Sequence, residues 1–350
     1  MNKENIVDKL KNKISEIINL DKNEISDSSA VGKTPGWDSL KHMEIVLFIE
    51  EEYGIEPTAE SVLQMMNFKG ICDVVIEGKK NKKNSTVFTE NDFIKAFQKI
   101  GLKKDDHIFV QSAIGSFGVI SKPLKTITNA FLSIIGSEGT LAVPAFSNVF
   151  FNGNTFNRYD TPSEAGIFSE YVRTLKNSKR SVHPPFHSVA AIGKYAEILA
   201  EVETSTSFSR KSAFGKMYDL DFKLCLLGTT LKHTTFFHYV EEQAQVPYRF
   251  FKSFTSTVEY SDNRSEIRTY DYFARYSEPL IKADFHMAGE KILKEIDAKI
   301  IFLGLAPIYL VSARKLVDVT LSYLAKDITF LIDNSDKWKV KEIIDGKGKK

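Results

Sequence analysis

Length and composition exclude several classes of protein. The chain has 350 residues, which is longer than one typical domain and predicts two. A hydrophobic content of 43% and a charged content of 26% describe a folded protein rather than a disordered one. Two cysteines, Cys72 and Cys225, are too few for a disulfide framework or a cysteine zinc site. Because no segment reaches membrane-span length and the polar N-terminus does not begin a signal peptide, we expect a cytoplasmic protein.

Charge is divided unevenly along the chain. Residues 1–77 contain 15 Asp or Glu and 8 Lys or Arg, a net charge of −7, whereas the remaining 39 basic and 30 acidic residues give +9. Opposite charges on linked domains favour mutual attraction, and a basic second domain suits a phosphorylated ligand such as pantetheine, coenzyme A or a sugar nucleotide. A lysine-rich surface can also serve solubility alone. Without a clustered basic helix or a recognisable nucleic-acid module, we expect no nucleic-acid partner.

The first 77 residues follow a helical pattern. Apolar residues at helical spacing predict a first helix over 4–19 and a second one starting at Ser39. A short third helix is expected from Pro57, and a last one over 70–76. Four helices with one long loop predict a small four-helix bundle. The segment 78–85 has no apolar residue, so we expect residues 78–87 to be a flexible linker.

Ser39 lies at the start of the second predicted helix. It follows Asp38 and a polar, turn-prone segment, and the helix after it has an acidic outer face. Its apolar positions are Leu40, Met43, Val46, Leu47 and Phe48. A serine at this place can simply be a helix N-cap. The Asp-Ser-Leu signature and the acidic helix nevertheless resemble the acyl carrier protein family. The resemblance implies a 4′-phosphopantetheine arm covalently attached to Ser39. It also implies two partners, a phosphopantetheinyl transferase and a carrier-loading enzyme.

From residue 88 the pattern changes to short apolar segments separated by helices. Thr89 and Asp92 predict the cap of a helix that runs through Lys99. A further helix is expected over 126–135, and alternating residues over 257–271 predict an antiparallel hairpin. Apolar runs predict buried strands at 107–110, 140–144, 189–192, 223–227 and 300–303. This mixture predicts an α/β (α+β) domain over residues 88–350 with a central mixed sheet.

Four of the seven histidines fall in two short segments. His238 and Glu241 are three residues apart, so on a helix they share one face and can form an imidazole–carboxylate pair, as in a tuned general base. His183 and His187 flank two prolines, which places His183 on a rigid loop. Each histidine can instead be a satisfied, partly buried side chain. Three or four of these groups could also bind zinc, although no standard zinc spacing is present.

A glycine-containing loop follows the first strand of the second domain. Gly115 and Gly118, with Ser112 and Ser116, can bring backbone close to a pantetheine or phosphate group. The alternative is an ordinary turn between a strand and a helix.

Residues 88–325 resemble the aminoglycoside 3-N-acetyltransferase family. The segments that carry the resemblance are VQSAIGSFG at 110–118, GTLAVP at 139–144, RSVHP at 180–184, SVAAIG at 188–193, LLG at 226–228 and TFFHYVE at 235–241. The resemblance implies an acetyltransferase-like domain that moves an acyl group from a pantetheine thioester to an amine through a ternary complex. We expect donor contacts from Gln111, Ser112, Gly115, Ser116 and Gly118, and no metal site.

The resemblance also assigns roles to the histidines. His183 matches the family's His-Pro step and is the expected general base, with Glu241 orienting it and His238 supporting the site. His187 is the rival base, because one form of the motif has a second histidine before the serine. Gln111 departs from the pattern, since many members carry histidine there.

We therefore expect an N-acyltransferase whose fused carrier delivers the acyl group from Ser39. The expected acceptor is the amine of an amino sugar, nucleotide-linked, in polysaccharide biosynthesis. One alternative is an aminoglycoside N-acetyltransferase that uses acetyl-CoA, and acyl-CoA is an alternative donor in either case. Two others are a carrier scaffold with an inactive second domain and a metal-dependent hydrolase that strips the carrier.

Overall fold

The chain separates into two units, Met1–Thr86 and Val87–Lys350. The computed structural model describes residues 3–53, 55, 59–83, 87–260, 264–296 and 298–349. None of the helices within these ranges is both long and apolar enough to cross a membrane.

The first unit is a helical bundle, as the sequence predicts. Its helices are α1 (Lys3–Ile18), α2 (Ser39–Tyr53), α3 (Ala59–Gln64) and α4 (Phe68–Lys83). The apolar side chains at every fourth position of α1 are buried, and those of Leu10 and Ile14 are fully enclosed. These residues pack against Ile45 and Ile49 of α2 and Phe68 of α4. Burial of about 0.8 kcal/mol per methylene makes this shared core the force that holds the short helices together.

Two predictions for the first unit need correction. The segment 78–83 is not a flexible linker, because α4 continues through it to Lys83. Its lysines are good helix formers, so the loss of apolar residues does not end the helix. The predicted apolar face of α2 is also partly wrong, because the side chains of Met43 and Leu47 are 49% and 52% exposed. Residues 56–58, including Pro57, and residues 84–86 lie outside the described residues.

The second unit alternates helices with strands. Its strands are β1 (His107–Ser112), β2 (Thr140–Pro144), β3 (Phe156–Asn157), β4 (Lys179–Arg180), β5 (Val189–Gly193), β6 (Lys223–Leu227), β7 (Arg249–Glu259), β8 (Ser265–Arg275), β9 (Lys299–Leu303) and β10 (Ala306–Ser312). Its helices are α5 (Glu90–Ile100), α6 (Pro123–Ile135), α7 (Ile167–Arg173), α8 (Ala196–Ala200), α9 (Ala213–Asp219), α10 (Phe236–Gln243), α11 (Phe285–Glu295), α12 (Ala313–Lys326) and α13 (Lys337–Glu342). The predicted capping box at Thr89 and Asp92 is present.

A mixed sheet forms the centre of this unit, which confirms the expected α/β architecture. Its strand order is β4-β5-β2-β1-β6-β10-β9. The three middle strands, β2, β1 and β6, are parallel, whereas the outer strands on both sides pair antiparallel. A second sheet contains the long β7–β8 hairpin and β3.

Both faces of the central sheet are covered. Successive residues of a strand point to opposite faces, so Phe109 joins one core with Leu224 and Leu226. Ile108 and Val110 join the other core with Cys225. Burial on both faces explains why the middle strands are continuous apolar runs rather than alternating ones.

The strand at 300–303 is not buried as predicted. Within β9 at the sheet edge, the side chains of Ile300 and Phe302 are 43% and 66% exposed. The hairpin is also longer than the predicted 257–271, since β7 begins at Arg249 and β8 ends at Arg275.

Candidate active site

A cleft opens at the carboxyl ends of the parallel strands. In α/β sheets this edge is the usual place for ligands, because the strand-to-helix loops converge there. The cleft is lined by Gln111, Ser112, Ala113, Pro144, Phe146, Glu164, Ala165, Thr229, His233 and Thr235. Two of the predicted donor-binding residues, Gln111 and Ser112, therefore lie on its wall.

Gln111 connects β1 to the start of α10. Its Nε2 donates to the carbonyl of His233 at 2.7 Å and to the hydroxyl of Thr235 at 2.9 Å. Its Oε1 accepts from the Thr235 backbone N–H at 3.1 Å. Both amide N–H groups are thus engaged within the protein. Gln111, at the position where histidine was the family pattern, therefore links β1 to α10 and fixes the position of that helix.

The loop after Ser112 forms a tight turn. Residues 114–117 are a 3₁₀ helix, and Gly118 follows with φ 76° and ψ −136°, a conformation that favours glycine. Ser116 donates its hydroxyl to the Ala113 carbonyl at 2.7 Å. A Cβ at Gly228 would lie 2.1 Å from this hydroxyl oxygen, so the turns after β1 and β6 pack closely. Around Gly115 the space is open.

His238 and Glu241 form the predicted pair on α10. His238 Nδ1 lies 2.7 Å from Glu241 Oε2, and Arg249 Nη2 lies 2.8 Å from the same oxygen. Glu241 is buried, which alone would raise its pKa. The charge of Arg249 and the His238 hydrogen bond outweigh burial and hold the pKa of Glu241 at about 2. Burial lowers the pKa of His238.

His187 lies beside this ion pair. Its ring packs against Phe146 of the cleft wall and Phe208, with centroid distances of 5.0 and 4.6 Å, and stacks on Tyr272 at 5.7 Å. Burial first, and then the charges of His238 and Arg249, lower the pKa of His187 to about 3. The imidazole is therefore neutral at pH 7. Its Nδ1 is buried and has no hydrogen-bond partner in the part of the chain that the structure describes.

His183 has a different set of neighbours from the one expected. Its Nδ1 contacts the hydroxyl of Tyr270, and its Nε2 lies 3.2 Å from the hydroxyl of Tyr260 and 3.5 Å from Glu203 Oε1. Glu241 therefore bonds to His238 and does not orient His183, which corrects that prediction.

The β8 strand accounts for the separation of the two histidines. His183 contacts Tyr270 and His187 stacks on Tyr272, and residues two apart on a strand share one face about 7 Å apart. The turn Pro185–His187 therefore lays the two imidazoles along β8 at separate positions. Within the described ranges, no three His, Cys, Asp or Glu side chains converge as a metal-ligand set. The alternative zinc site does not assemble.

The sequence reasoning missed three groups around this site. Arg249, at the start of β7, is buried and contacts both His238 and Glu241. Glu242 is buried next to the pair, and burial raises its pKa to about 7 although Thr206 donates to it. Tyr270 contacts His183. The sequence does contain a signal for Arg249, because this charged residue stands among three aromatic residues in the segment Tyr248–Phe251. Glu242 carries no such signal.

Ser39 begins α2 in the first unit, and its side chain is outside the described residues.

The match to a family model decides the family. The aminoglycoside 3-N-acetyltransferase model matches residues 109–325, which include the cleft, both histidine segments and α10. The chain belongs to the aminoglycoside 3-N-acetyltransferase family. Its membership confirms the expected class of enzyme, a transferase.

Individual relatives within the family are distant. The prophage-derived aminoglycoside N(3′)-acetyltransferase-like protein YokD of Bacillus subtilis is 26% identical over 190 residues, which is 47% of this chain and 69% of that protein. Aminoglycoside N(3)-acetyltransferase III of a Salmonella species is 27% identical over 178 residues, which is 45% of this chain and 62% of that enzyme. The chain thus spans less than two thirds of the Salmonella enzyme.

Solved structures of aminoglycoside 3-N-acetyltransferases share the fold of the second unit. AAC(3)-Xa aligns with a TM-score of 0.64 and 20% identity, covering 73% of this chain and 98% of that one. The binary complex of AAC-IIIb with CoASH aligns with a TM-score of 0.62 and 20% identity, covering 69% and 97%.

A separate similarity concerns a carrier. An acyl carrier protein of Cyanidioschyzon merolae is 25% identical over 91 residues, which is 26% of this chain and all of that protein.

Proposed function

We propose that the protein is an N-acyltransferase that moves an acyl group from a pantetheine thioester to the amine of an amino-sugar compound. The observation that carries this proposal is the placement of His187. Its ring packs against Phe146 of the cleft wall, it is close enough to His238 and Arg249 for their charges to lower its pKa, and its buried Nδ1 has no hydrogen-bond partner among the described residues. A neutral imidazole next to the cleft wall can accept the proton that the attacking amine loses.

In the proposed reaction, the amine nitrogen attacks the thioester carbonyl and the carbon–sulfur bond breaks. The attacking amine must give up a proton, and the departing thiolate must gain one. His187 takes the proton and returns it to the sulfur, so the step needs no other reactant. His183 is the less favoured base, because Tyr270 and Tyr260 surround both its ring nitrogens.

Glu241, His238 and Arg249 position the site. Arg249 Nη2 also approaches His238 Nδ1 at 3.2 Å, so the three side chains form one buried network. A network held by opposite charges fixes the position of this face of α10 relative to the start of β7. We assign these residues a positioning role.

Acetyl-CoA and an aminoglycoside are the donor and acceptor that the relatives favour. AAC-IIIb binds CoASH, and the named relatives are aminoglycoside acetyltransferases. The charge of the second part of the chain, +9 beyond residue 77, supports a different acceptor, because a polycationic drug gains little from a basic surface.

A second candidate gives the first unit a role. In it, Ser39 carries the acyl group on 4′-phosphopantetheine and the acceptor is a nucleotide-linked amino sugar of polysaccharide biosynthesis. The helical bundle with Asp38-Ser39-Leu40 at the start of α2, and the similarity to an acyl carrier protein, support this candidate. A tethered donor has a high effective concentration without new contacts.

One experiment separates the two candidates. The full-length protein is assayed with acetyl-CoA as donor and, separately, after phosphopantetheinylation and acyl loading, against aminoglycosides and amino-sugar nucleotides. Mass spectrometry of the acceptor measures the product. Acetylation of aminoglycosides by acetyl-CoA supports the first candidate, and transfer to amino-sugar nucleotides from the loaded protein supports the second. Absence of N-acylated product in every combination would contradict the proposed function.

A further inference from the structure

A buried acid that the proposed reaction does not use lies on α10. Glu242 is 4% exposed, and its described surroundings contain no lysine, arginine or histidine that would compensate its charge. Burial, and to a smaller extent the charge of Asp271, raise its pKa to about 7. A buried carboxyl group without a countercharge costs stability, and groups of this kind are typical of functional positions.

Glu242 holds the loop between α8 and α9 through hydrogen bonds. The hydroxyl of Thr206 donates to Glu242 Oε1, and the backbone N–H of Phe208 donates to the same carboxyl group. The next residue of the helix holds the other polar group of that peptide, because Gln243 Nε2 donates to the Phe208 carbonyl at 2.7 Å. Consecutive side chains of α10 thus fix both the N–H and the carbonyl of Phe208.

The ring of Phe208 lies against the proposed base. Its centroid is 4.6 Å from that of His187 and 6.0 Å from that of His238. His187 Nδ1 has no hydrogen-bond partner within the described ranges, and the other rings that pack on the imidazole are those of Phe146 and Tyr272. Aromatic packing therefore contributes to the orientation of this imidazole, and a displaced Phe208 would change it.

The same loop is also bound to β8. The backbone N–H of Asp271 donates to the Ser205 carbonyl at 2.8 Å, and Thr206 forms a parallel bridge with Asp271. The residue after Asp271 is Tyr272, which stacks on His187. The loop therefore connects the helix that carries Glu242 with the strand on which the imidazole stacks.

We propose that Glu242 is a positioning residue for the acylation, which acts through Phe208 to hold the His187 imidazole in its reactive orientation. The inference rests on the proposed function, because it takes His187 as the base. A glutamine in place of Glu242 keeps an oxygen that accepts from Phe208, and the Thr206 hydroxyl can accept from its amide. An apolar side chain leaves both donors buried and unpaired, so the loop must move.

The first measurement reports on His187 without any reaction. The full-length protein is prepared with isotope-labelled histidine, and the imidazole NMR signal that is absent from His187→Ala is assigned to His187. Glu242→Leu and Phe208→Leu are expected to shift this signal more than that of His286, which is exposed on α11. Glu242→Gln is expected to leave it near its wild-type position.

The second measurement is steady-state acylation at pH 7 with the best acceptor found. Glu242→Leu is expected to lower kcat about 10- to 100-fold and to change KM less than about threefold, because a base displaced by about 1 Å loses rate rather than binding. Glu242→Gln is expected to retain at least about one third of the wild-type kcat. Phe208→Leu, which leaves the Glu242 hydrogen bonds in place, carries both measurements if Glu242→Leu does not fold.

Asp106→Leu is the matched control for a general loss of stability. It also removes a buried carboxyl group, at the end of β1 opposite the cleft, and is expected to keep the wild-type kcat. Circular dichroism melting checks that each variant folds.

Three results would overturn the inference. They are an unchanged His187 signal in Glu242→Leu and Phe208→Leu, a loss of kcat in Glu242→Gln as large as in Glu242→Leu, and an equal loss in Asp106→Leu. Failure of the proposed function has a different signature. In that case His187→Ala keeps full activity while the His187 signal of the Glu242 variant still shifts.

Discussion

Glu241 Oε2 accepts from His238 Nδ1 at 2.7 Å on the inner face of α10, and Arg249 approaches the same oxygen at 2.8 Å. A single buried carboxylate oxygen thus holds an imidazole and a guanidinium together. The network explains why a charged pair can stay deep in an aromatic core, since each charge has a partner.

Removing the carboxylate of Glu241 should destabilise the second unit. Glu241→Gln leaves Arg249 buried without its countercharge, and we expect a loss of about 3 kcal/mol of unfolding free energy. Urea unfolding at pH 7 measures it. The pKa of Glu241 is depressed to about 2, so its contribution is present above pH 4.5 and is lost as pH falls toward 2. A Glu241→Gln penalty that stayed constant between pH 7 and pH 3 would contradict this account.

Glu242 should have the opposite dependence on pH. Its pKa is raised by burial to about 7, so the folded protein keeps a proton that the unfolded chain releases above pH 4.5. Unfolding free energy should therefore fall as pH rises from 4.5 to 7. We expect Glu242→Gln to be more stable than wild type by about 1–3 kcal/mol at pH 8, with the difference vanishing near pH 4. Chemical unfolding at the two pH values checks this, and a variant less stable at pH 8 would refute it.

His42 makes the first unit sensitive to acid. It is buried on α2, neither ring nitrogen has a hydrogen-bond partner among the described residues, and burial lowers its pKa. Stability of this unit should fall as pH drops below about 6.5, because only the unfolded chain binds the proton easily. His42→Leu should remove this dependence and add about 1 kcal/mol at pH 6.

Tryptophan fluorescence reports on this unit. Trp37 is buried near His42, with ring centroids 6.4 Å apart, and Trp338 is an exposed residue of the second unit. In a Trp338→Phe background, the emission of Trp37 follows unfolding of the first unit. An identical acid transition in the His42→Leu variant would show that another group controls it.

Ser39 should accept a phosphopantetheine group if the first unit is a carrier. Co-expression with a phosphopantetheinyl transferase is expected to increase the intact mass by the mass of one phosphopantetheine. Ser39→Ala should abolish the increase, whereas Ser28→Ala, in the preceding loop, should not. An unmodified protein with a panel of such transferases would remove the carrier from the proposed function and leave coenzyme A as donor.

Local features were predictable from the sequence wherever a residue's environment follows from its own segment. The bounds of β2 and β6 match the predicted strands, and Thr89 caps α5 as predicted. The helical pair of His238 and Glu241 follows from their spacing of three. α12 went unpredicted although its buried face, with Leu316, Val317, Thr320 and Leu324, follows a helical period.

Features decided by distant segments were not predictable. An apolar segment has the same sequence pattern in a strand at the edge of a sheet as in a central strand. Phe302 is exposed because β9 is the last strand of the sheet, and that position depends on the pairing of distant segments. The environments of His183 and His187 depend on β8, more than 80 residues later in the chain. The sequence of segment 183–188 alone does not indicate whether His183 or His187 lies near His238 and Arg249, the partners of Glu241.

The rates of His187→Ala and His183→Ala test the central claim most directly. Release of free thiol from acetyl-CoA, in the presence of the best acceptor found, measures turnover, and the control is His286→Ala, at an exposed position of α11. We expect kcat to fall about 10²- to 10⁴-fold in His187→Ala and to remain within about tenfold of wild type in His183→Ala. Full activity of His187→Ala, with loss confined to His183→Ala, would contradict the assignment of His187 as the base.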